Sequence, residues 1–326
     1  MAKDNYWVGF DLGGTKMMAV VFDNDFKERG RERKKTRAHE GIKTGMERIV
    51  RTVEEALTSA GIAKDKLAGI GVGCPAPLDL KEGVITYAPN LGWKDAPLKD
   101  SLERAFGCRT VVANDVDAGT YGEYCFGAAK GARCVVGIFP GTGIGGACIY
   151  EGKLIVGTNT SCMEIGHLPV MPQGPLCGCG QRGCLEAVAS RLAIASAAAA
   201  AAYRGDAPHL FEAAGTDLSN IRSSALADAI KAGDSVIEQI VRQAARWLGR
   251  GVAMTVNLLA PDVVVMGGGL VEALPGFYLE EVEETARSLC MNAYRKSFKI
   301  VRAELGDDAA VTGAAALVRE AVEKKD

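Results

Sequence analysis

Apolar runs of strand length alternate along this chain with stretches of helical period, and that alternation predicts a mixed α/β protein. Residues 6–10 and 17–22 are apolar, and between them stand Asp11, Leu12, Gly13, Gly14, Thr15 and Lys16. A strand, a glycine loop and a second strand are expected, closed by a turn at Asp23, Asn24 and Asp25. Residues 27–37 are dense in Lys, Arg and Glu and read as a solvated strand and turn. Met46, Ile49, Val50, Val53, Ala56 and Leu57 recur at the spacing of an amphipathic helix, which Gly61 should stop.

Residues 67–74 read as a buried strand running into Pro75, Ala76 and Pro77, and residues 89–93 as a loop. A helix over 98–106 should end at Gly107, and a strand over 110–113 leads to Asn114 and Asp115. Open α/β sheets place ligands at such strand ends, although by itself Asp115 reads first as a helix cap. Asn90 by itself reads first as a turn residue. Strands are expected at 134–139 and 147–150, a helix at 185–203 and a looser connection at 205–223, where His209 has no evident role. Six alanines at 197–202 need only helix propensity to explain them. A long apolar helix at 235–259, a buried strand at 262–266, a last strand at 300–303 and a helix from Asp307 to about Glu323 complete the chain. The acids at its start favour that last helix.

Residues 134–150 repeat the form of residues 6–22, with Pro140, Gly141, Thr142, Gly143, Ile144, Gly145 and Gly146 between two strands. In such loops backbone N–H groups can face a phosphate, with Thr15, Lys16 and Thr142 as polar donors. Neither loop is a G-x-x-x-x-G-K-[ST] phosphate loop. A dinucleotide fold would need G-x-G-x-x-G opening a helix, and here strand-like sequence follows. A plain hairpin turn also accounts for the first loop taken alone. Gly267, Gly268 and Gly269 after a strand let backbone approach a flat ligand.

Composition narrows the classes. The 326 residues, 48% hydrophobic, can fill two cores. Lys and Arg number 38 against 40 Asp and Glu, a net charge of −2 that gives no field for nucleic acid or an anionic membrane. No apolar leader opens the sequence and no 18-residue apolar span is expected elsewhere. Seven of the ten cysteines are scattered, several in apolar runs, as in a reduced, cytoplasmic protein.

The other three join one histidine. His167, Cys177, Cys179 and Cys184 are spaced H-x9-C-x-C-x4-C, with Gly178, Gly180 and Gly183 between them and Glu164 and Glu186 flanking. Three thiolates and an imidazole complete a tetrahedral zinc shell without an open position, so the site is structural. A nucleic-acid zinc knuckle fits poorly, since the loop offers Arg182 alone as a cation and no aromatic ring.

The segments E-I-G-H and C-x-C-G-x-x-G-C-L-E resemble the signature of the ROK family (repressors, open reading frames and sugar kinases). The resemblance extends from Asp11 to the helix at Asp307. It implies the two-lobed actin-like, ribonuclease-H-like ATPase fold with a zinc-binding loop. The smaller lobe would be residues 1–118, joined by the terminal helix at 306–326, and the larger 119–305. It also implies ATP-dependent phosphorylation of a hexose at the 6-hydroxyl, with glucose as first choice. N-acetylhexosamine or fructose kinases, a polyphosphate donor and a non-catalytic sugar-binding regulator remain alternatives.

By the same resemblance Asp115 is the general base, and Asn90, Asn114, Glu164, His167 and Glu186 hold the sugar. Asp11 lies near Mg²⁺ and the phosphates. Gly13, Gly14, Thr15, Lys16, Gly141, Thr142 and Gly143 cradle phosphate, and Gly267, Gly268 and Gly269 lie beside adenosine. Ala147 stands where many relatives have another glycine, and Pro169 where Thr is more typical. Family repressors carry a DNA-binding module ahead of this first loop; only ten residues precede Asp11 here, so no nucleic-acid partner is expected. A homodimer or homotetramer is.

Overall fold

The computed structural model describes residues 5–75, 77–88 and 91–324. In chain order the first elements are β1 (Tyr6–Leu12), β2 (Lys16–Phe22), β3 (Glu28–Lys35), α1 (Ile42–Ala60), β4 (Leu67–Cys74), β5 (Leu78–Asp79), β6 (Val84–Ala88), β7 (Trp93–Ala96), α2 (Leu98–Phe106), β8 (Arg109–Asn114) and α3 (Asp115–Phe126). Then come β9 (Cys134–Pro140), β10 (Ile144–Tyr150), β11 (Lys153–Leu154), α4 (Leu185–Ala189), α5 (Arg191–Tyr203), α6 (Pro208–Ala214), α7 (Ser223–Ala232) and α8 (Ser235–Leu259). The last are β12 (Val263–Met266), α9 (Gly269–Ala273), α10 (Phe277–Leu289), β13 (Lys299–Arg302) and α11 (Ala309–Glu323).

Two five-stranded sheets share one topology. The first has the order β3-β2-β1-β4-β8 and the second β11-β10-β9-β12-β13. In the first, β1 pairs antiparallel with β2 and parallel with β4, which pairs parallel with β8. In the second, β9 and β12 are parallel, as are β12 and β13. Parallel neighbours need crossovers, and helices supply them. The chain divides into two compact units, Met1–Gly131 with Ala147–Cys162 and Glu304–Asp326, and Ala132–Gly146 with Met163–Ala303. The C-terminal helix therefore belongs with the N-terminal sheet.

Local signals set most boundaries. Gly61 and Gly107 stop α1 and α2 in the left-handed conformation that glycine adopts without a Cβ clash. β3 is an edge strand, and its charged side chains keep that edge from pairing further. Arg29 pairs with Asp23 and Arg31 with Glu28. On one face of the first sheet Phe10, Leu12, Ile70 and Val72 bury with Ile49, Val53 and Leu57 of α1. On the other, Trp7, Met18 and Val20 bury with Val311, Ala315 and Val318 of α11.

That second face is close because glycines make it so. A Cβ at Gly9 would run into the carbonyl of Val311, and one at Gly71 into the carbonyl of Ala314. Gly313 leaves the same space for α3 at Ala118. Backbone thus packs on backbone at strand positions where glycine weakens the strand itself.

Three expectations change here. Residues 78–96 form a three-stranded sheet, β5-β6-β7, in which Trp93 opens a strand rather than ending a loop. Trp93 is buried and donates from Nε1 to the carbonyl of Ala38 at 3.2 Å, which its neighbours in sequence could not reveal. The connection at 205–223 contains α6, and His209 Nδ1 lies 2.8 Å from buried Asp234, which also accepts from the Leu210 amide at 2.8 Å. Finally, Leu185–Tyr203 is long and apolar enough by composition to cross a membrane, which the sequence reading had excluded. In the structure it is two helices broken at Ser190, whose hydroxyl accepts from the Ala193 amide, and half of the stretch is buried. A core helix passes the same length and hydropathy test.

Gly71→Ala should lower stability by about 1–3 kcal/mol, the usual cost of forcing atoms into a packed contact. Chemical denaturation reads this directly. An unchanged midpoint would mean that α11 does not rest on β4 through Gly71.

Candidate functional site

In the first unit, β1 delivers Asp11 beside Gly73 of β4, and β8 delivers Asn114 beside Cys74. Strand pairing alone therefore brings Asp11 and Asp115 to the same end of the sheet. Asn114 caps α3, its Oδ1 accepting from Val116 N at 2.8 Å and Asp117 N at 3.4 Å. The sequence by itself suggested Asp115 as the cap, and this is corrected: Asn114 is extended and caps, whereas Asp115 is the first helical residue. Asp115 Oδ1 accepts from Val116 N at 3.0 Å.

Asp11 is a strongly perturbed carboxyl. Burial pushes it up to about 7, the charges of Asp115 and Asp307 push in the same direction, and Arg33 opposes them. Three carboxylates so placed destabilise one another as anions, and a divalent cation relieves that repulsion. The donor set therefore fits Mg²⁺ at Asp11. Cys74 lies between the same groups. Burial and then the charges of Asp115 and Asp11 push its thiol far up, so it stays protonated and inert.

Residues 13–15 form the loop between β1 and β2. Thr36 braces it, its hydroxyl donating to the Gly13 carbonyl at 2.6 Å and its amide to the Thr15 carbonyl at 2.9 Å. Sequence reading missed this fully buried threonine by absorbing it into a solvated stretch. The signal was an uncharged residue directly after Arg33, Lys34 and Lys35. Asp307 and Asp308 precede α11, but neither caps it. They pair with β3, Asp307 with Arg33 at 3.4 Å and Asp308 with Arg31 at 2.8 Å.

In the second unit, Glu186 of α4 ties two motifs together. Its Oε2 accepts from the Ile144 amide at 2.9 Å, and its Oε1 lies 3.8 Å from Cys177 Sγ. A Cβ at Gly143 would lie inside contact distance of Glu186 Oε2, so glycine leaves the carboxylate room to reach the Ile144 amide. Arg191 grips the same loop. Its amide donates to the Gly141 carbonyl at 2.9 Å and its Nη2 to Thr142 Oγ1 at 2.7 Å. Gly267 and Gly268 pack on Phe139 and Pro140, and Gly268 has φ +90°.

A pocket of about 560 Å³ lies at the start of α5. Arg191 and Leu192 line one side, and Leu218, Ser219, Arg222, Ser223 and Ser224 the other. Gly269 adjoins it, since a Cβ there would lie 3.2 Å from Ser223 Oγ. Sequence reading assigned nothing to Arg191, Arg222 or Ser223.

The ligand atoms of His167, Cys177, Cys179 and Cys184 all lie within 4.8 Å of one another. His167 Nδ1 is 3.6 Å from Cys177 Sγ, and the sulfurs of Cys179 and Cys184 are 3.7 Å apart. A tetrahedral ion about 2.3 Å from sulfur and about 2.0 Å from nitrogen sets such atoms roughly 3.5–3.8 Å apart. The cluster therefore fits zinc. Burial pushes Cys184 up to about 12 and raises Cys177, while the Gln181 backbone hydrogen bond lowers Cys179. Glu164 precedes the single turn Ile165–His167, and its carbonyl accepts from the His167 amide at 3.0 Å. Asn90 lies outside the described residues.

The profile of the ROK family matches residues 7–321. A glucokinase of Thermotoga maritima is 30% identical over 316 residues, 97% of this chain and 98% of that protein. A glucokinase of Streptomyces coelicolor is 33% identical over 316 residues, 96% of this chain and 97% of that protein. The crystal structure of a ROK family glucokinase from Streptomyces griseus, in complex with glucose and AMPPNP, superposes with a TM-score of 0.84. It is 32% identical and covers 97% of this chain and 100% of that one.

Two outcomes follow from this geometry. Metal analysis should find about one zinc per chain, and Cys179→Ser should lose both the metal and thermal stability. A metal-free protein with unchanged melting would overturn the zinc assignment. Asp11 should also make stability depend on pH. Because its folded value of about 7 exceeds the ordinary 3.8, its contribution is fully present below 3.8 and lost as pH rises through 7. Unfolding measured in magnesium-free buffer from about pH 4 to about pH 8 should show the parent losing stability relative to Asp11→Asn. Parallel curves would show that Asp11 ionises normally.

Proposed function

This chain belongs to the ROK family, and from that premise we propose that it is an ATP-dependent hexokinase that phosphorylates the 6-hydroxyl of glucose. Near-full-length similarity to glucokinases supports the reaction. Within the molecule, the observation that carries it is the pair Asp11 and Asp115 at one end of the parallel strands.

Asp115 is the general base. It takes the proton of the sugar 6-hydroxyl as that oxygen attacks the γ-phosphorus and the bond to the β-phosphate oxygen breaks. Asn114 positions it by capping α3, and keeps its amide nitrogen for a sugar hydroxyl. Asn90, Glu164, His167 and Glu186 hold further hydroxyls. Glu186 spends Oε2 on the Ile144 amide and has Oε1 3.8 Å from Cys177 Sγ, so a sugar hydroxyl would use the lone pairs left on this carboxylate. His167 turns Nδ1 to the thiols, which leaves Nε2 for the sugar.

Phosphoryl transfer asks for positioning and charge neutralisation more than covalent chemistry from the protein. Gly13, Gly14, Thr15, Lys16, Gly141, Thr142 and Gly143 orient the phosphates, and Gly267, Gly268 and Gly269 flank the adenosine. Asp11 would hold Mg²⁺, which offsets charge on the phosphate oxygens. His167, Cys177, Cys179 and Cys184 would hold zinc, which fixes the loop carrying Glu164 and Glu186. Ten cysteines without a disulfide, three of them at the proposed zinc site, suit a reducing cytoplasm.

ATP-coupled turnover over glucose, mannose, fructose, allose and the N-acetylated amino sugars tests the substrate. Glucose should give the highest kcat/KM, because several carboxylates and amides penalise any hexose that leaves one of them unpaired. A preference for fructose or an N-acetylhexosamine would overturn that choice. Asp115→Asn should lower turnover by on the order of 10² or more, with sugar binding kept within roughly tenfold. Near-parental turnover would remove Asp115 from the mechanism. Glucose binding by the parent without turnover would mark a sugar sensor instead.

A further inference from the structure

The second glycine loop, residues 140–146, contains no Lys or Arg. The first has Lys16. A loop that holds polyphosphate needs positive charge nearby, because hydrogen bonds from amides alone leave most of the ligand's charge uncompensated. The structure supplies that charge from elsewhere in the sequence. Arg191, the first residue of α5, reaches the loop twice, through its amide to Gly141 and through its guanidinium to the Thr142 hydroxyl at 2.7 Å.

The same guanidinium lines the pocket of about 560 Å³, together with Arg222, three serines and two leucines. Among the described residues no acidic side chain lines it. Elsewhere the arginines of this chain commonly face carboxylates, as Arg31, Arg48, Arg242, Arg246 and Arg319 do. Among the described residues Arg191 has no acidic partner, and the Arg222 side chain bonds the Ser219 carbonyl, at 3.4 Å, and no carboxylate. Two guanidiniums without counter-charges share one pocket of small-molecule size. An anion is the ligand class that this arrangement favours.

The bond to Thr142 also has a direction. An arginine only donates, so Thr142 Oγ1 is the acceptor and its hydroxyl proton is turned away from the guanidinium. That proton is then available to a second acceptor. Arg191 thus presents a cation and orients a neighbouring hydroxyl as a donor, which is what a phosphate oxygen accepts from.

We propose that Arg191 is a phosphate-binding residue of the donor site, binding the phosphate chain of the nucleotide directly and setting the Thr142 hydroxyl toward it. This rests on the reading that the chain uses ATP, and it adds a donor-specific role for a residue outside both glycine loops. The contribution of Arg191 should grow with the number of phosphates and be absent for a bare nucleoside. Because the group is partly exposed, salt should weaken it.

Calorimetry with adenosine, ADP and ATP, each in the presence of Mg²⁺ and without sugar, tests this on the parent, Arg191→Ala and Arg191→Lys. Arg191→Ala should weaken ATP about tenfold or more and ADP less, with adenosine within about twofold of the parent. Arg191→Lys should recover part of the ATP affinity, since it keeps the charge and loses the planar fork. In turnover, KM for ATP should rise while KM for glucose stays near the parent's. Raised salt should narrow the gap between parent and Arg191→Ala. Equal weakening of all three ligands would show a purely structural role and overturn the proposal, as would unchanged ATP affinity. A parent that fails to bind ATP would overturn it too. A parent that binds ATP with this phosphate dependence but turns over no hexose overturns the kinase reading and leaves the proposal standing.

Discussion

The chemistry of the second unit depends on one constraint, the closeness of His167, Cys177, Cys179 and Cys184. Buried Cys177 and Cys184 give up protons reluctantly and exposed Cys179 more readily, and three thiols beside an imidazole form a set that a zinc ion would fit. Once that knot is tied, Cys184 sits at the start of α4 and Glu186 is delivered two residues later. Glu186 then reaches the Ile144 amide. A loop with several glycines is otherwise entropically expensive to hold in one shape. The carboxylate of Glu186 and the two bonds from Arg191 keep it there. Knot, carboxylate and glycine loop act as one assembly.

The first unit solves the same problem with different parts. Its glycine loop is held by Thr36, a buried residue on the approach from the edge strand, through hydroxyl and amide at once. Its carboxylates are brought together by strand register. Asp11 pairs with Gly73, and one strand further Cys74 pairs with Asn114. The sheet can hold these positions firmly because Gly9 and Gly71 let α11 lie against it backbone to backbone.

Two sheets of one strand order, each with a glycine loop after its first strand, have therefore diverged in how the loop is supported. The electrostatics differ as well. The first unit buries Asp11 and sets Asp115 and Asp307 near it, so that burial first and the neighbouring charges second raise the Asp11 carboxyl. The pocket of the second unit carries positive charge at Arg191 and Arg222. Those signs suit a cation at the first group and an anion at the second.

Much of this was legible in the amino-acid order, because the signals are local. Periodicity located α1, α2 and α8, and Gly61 and Gly107 marked helix ends. The spacing of His167, Cys177, Cys179 and Cys184 singled out the ligand set, and D-x-G-G-T with its repeat located both loops. Family membership rests on the whole chain, since the family profile matches residues 7–321. Only tertiary structure could decide what depends on residues distant in sequence. Trp93 is a strand residue because it pairs with Ala88 of β6, and its buried indole N–H donates to the Ala38 carbonyl. Asp307 and Asp308, placed by sequence as charges for a helix start, serve as partners for Arg33 and Arg31. Arg191, in an alanine-rich helix that seemed to need no function, turned out to face Thr142, 49 positions away. Helical period and glycine pattern are written residue by residue, whereas the partner of a side chain is set by how the chain returns on itself.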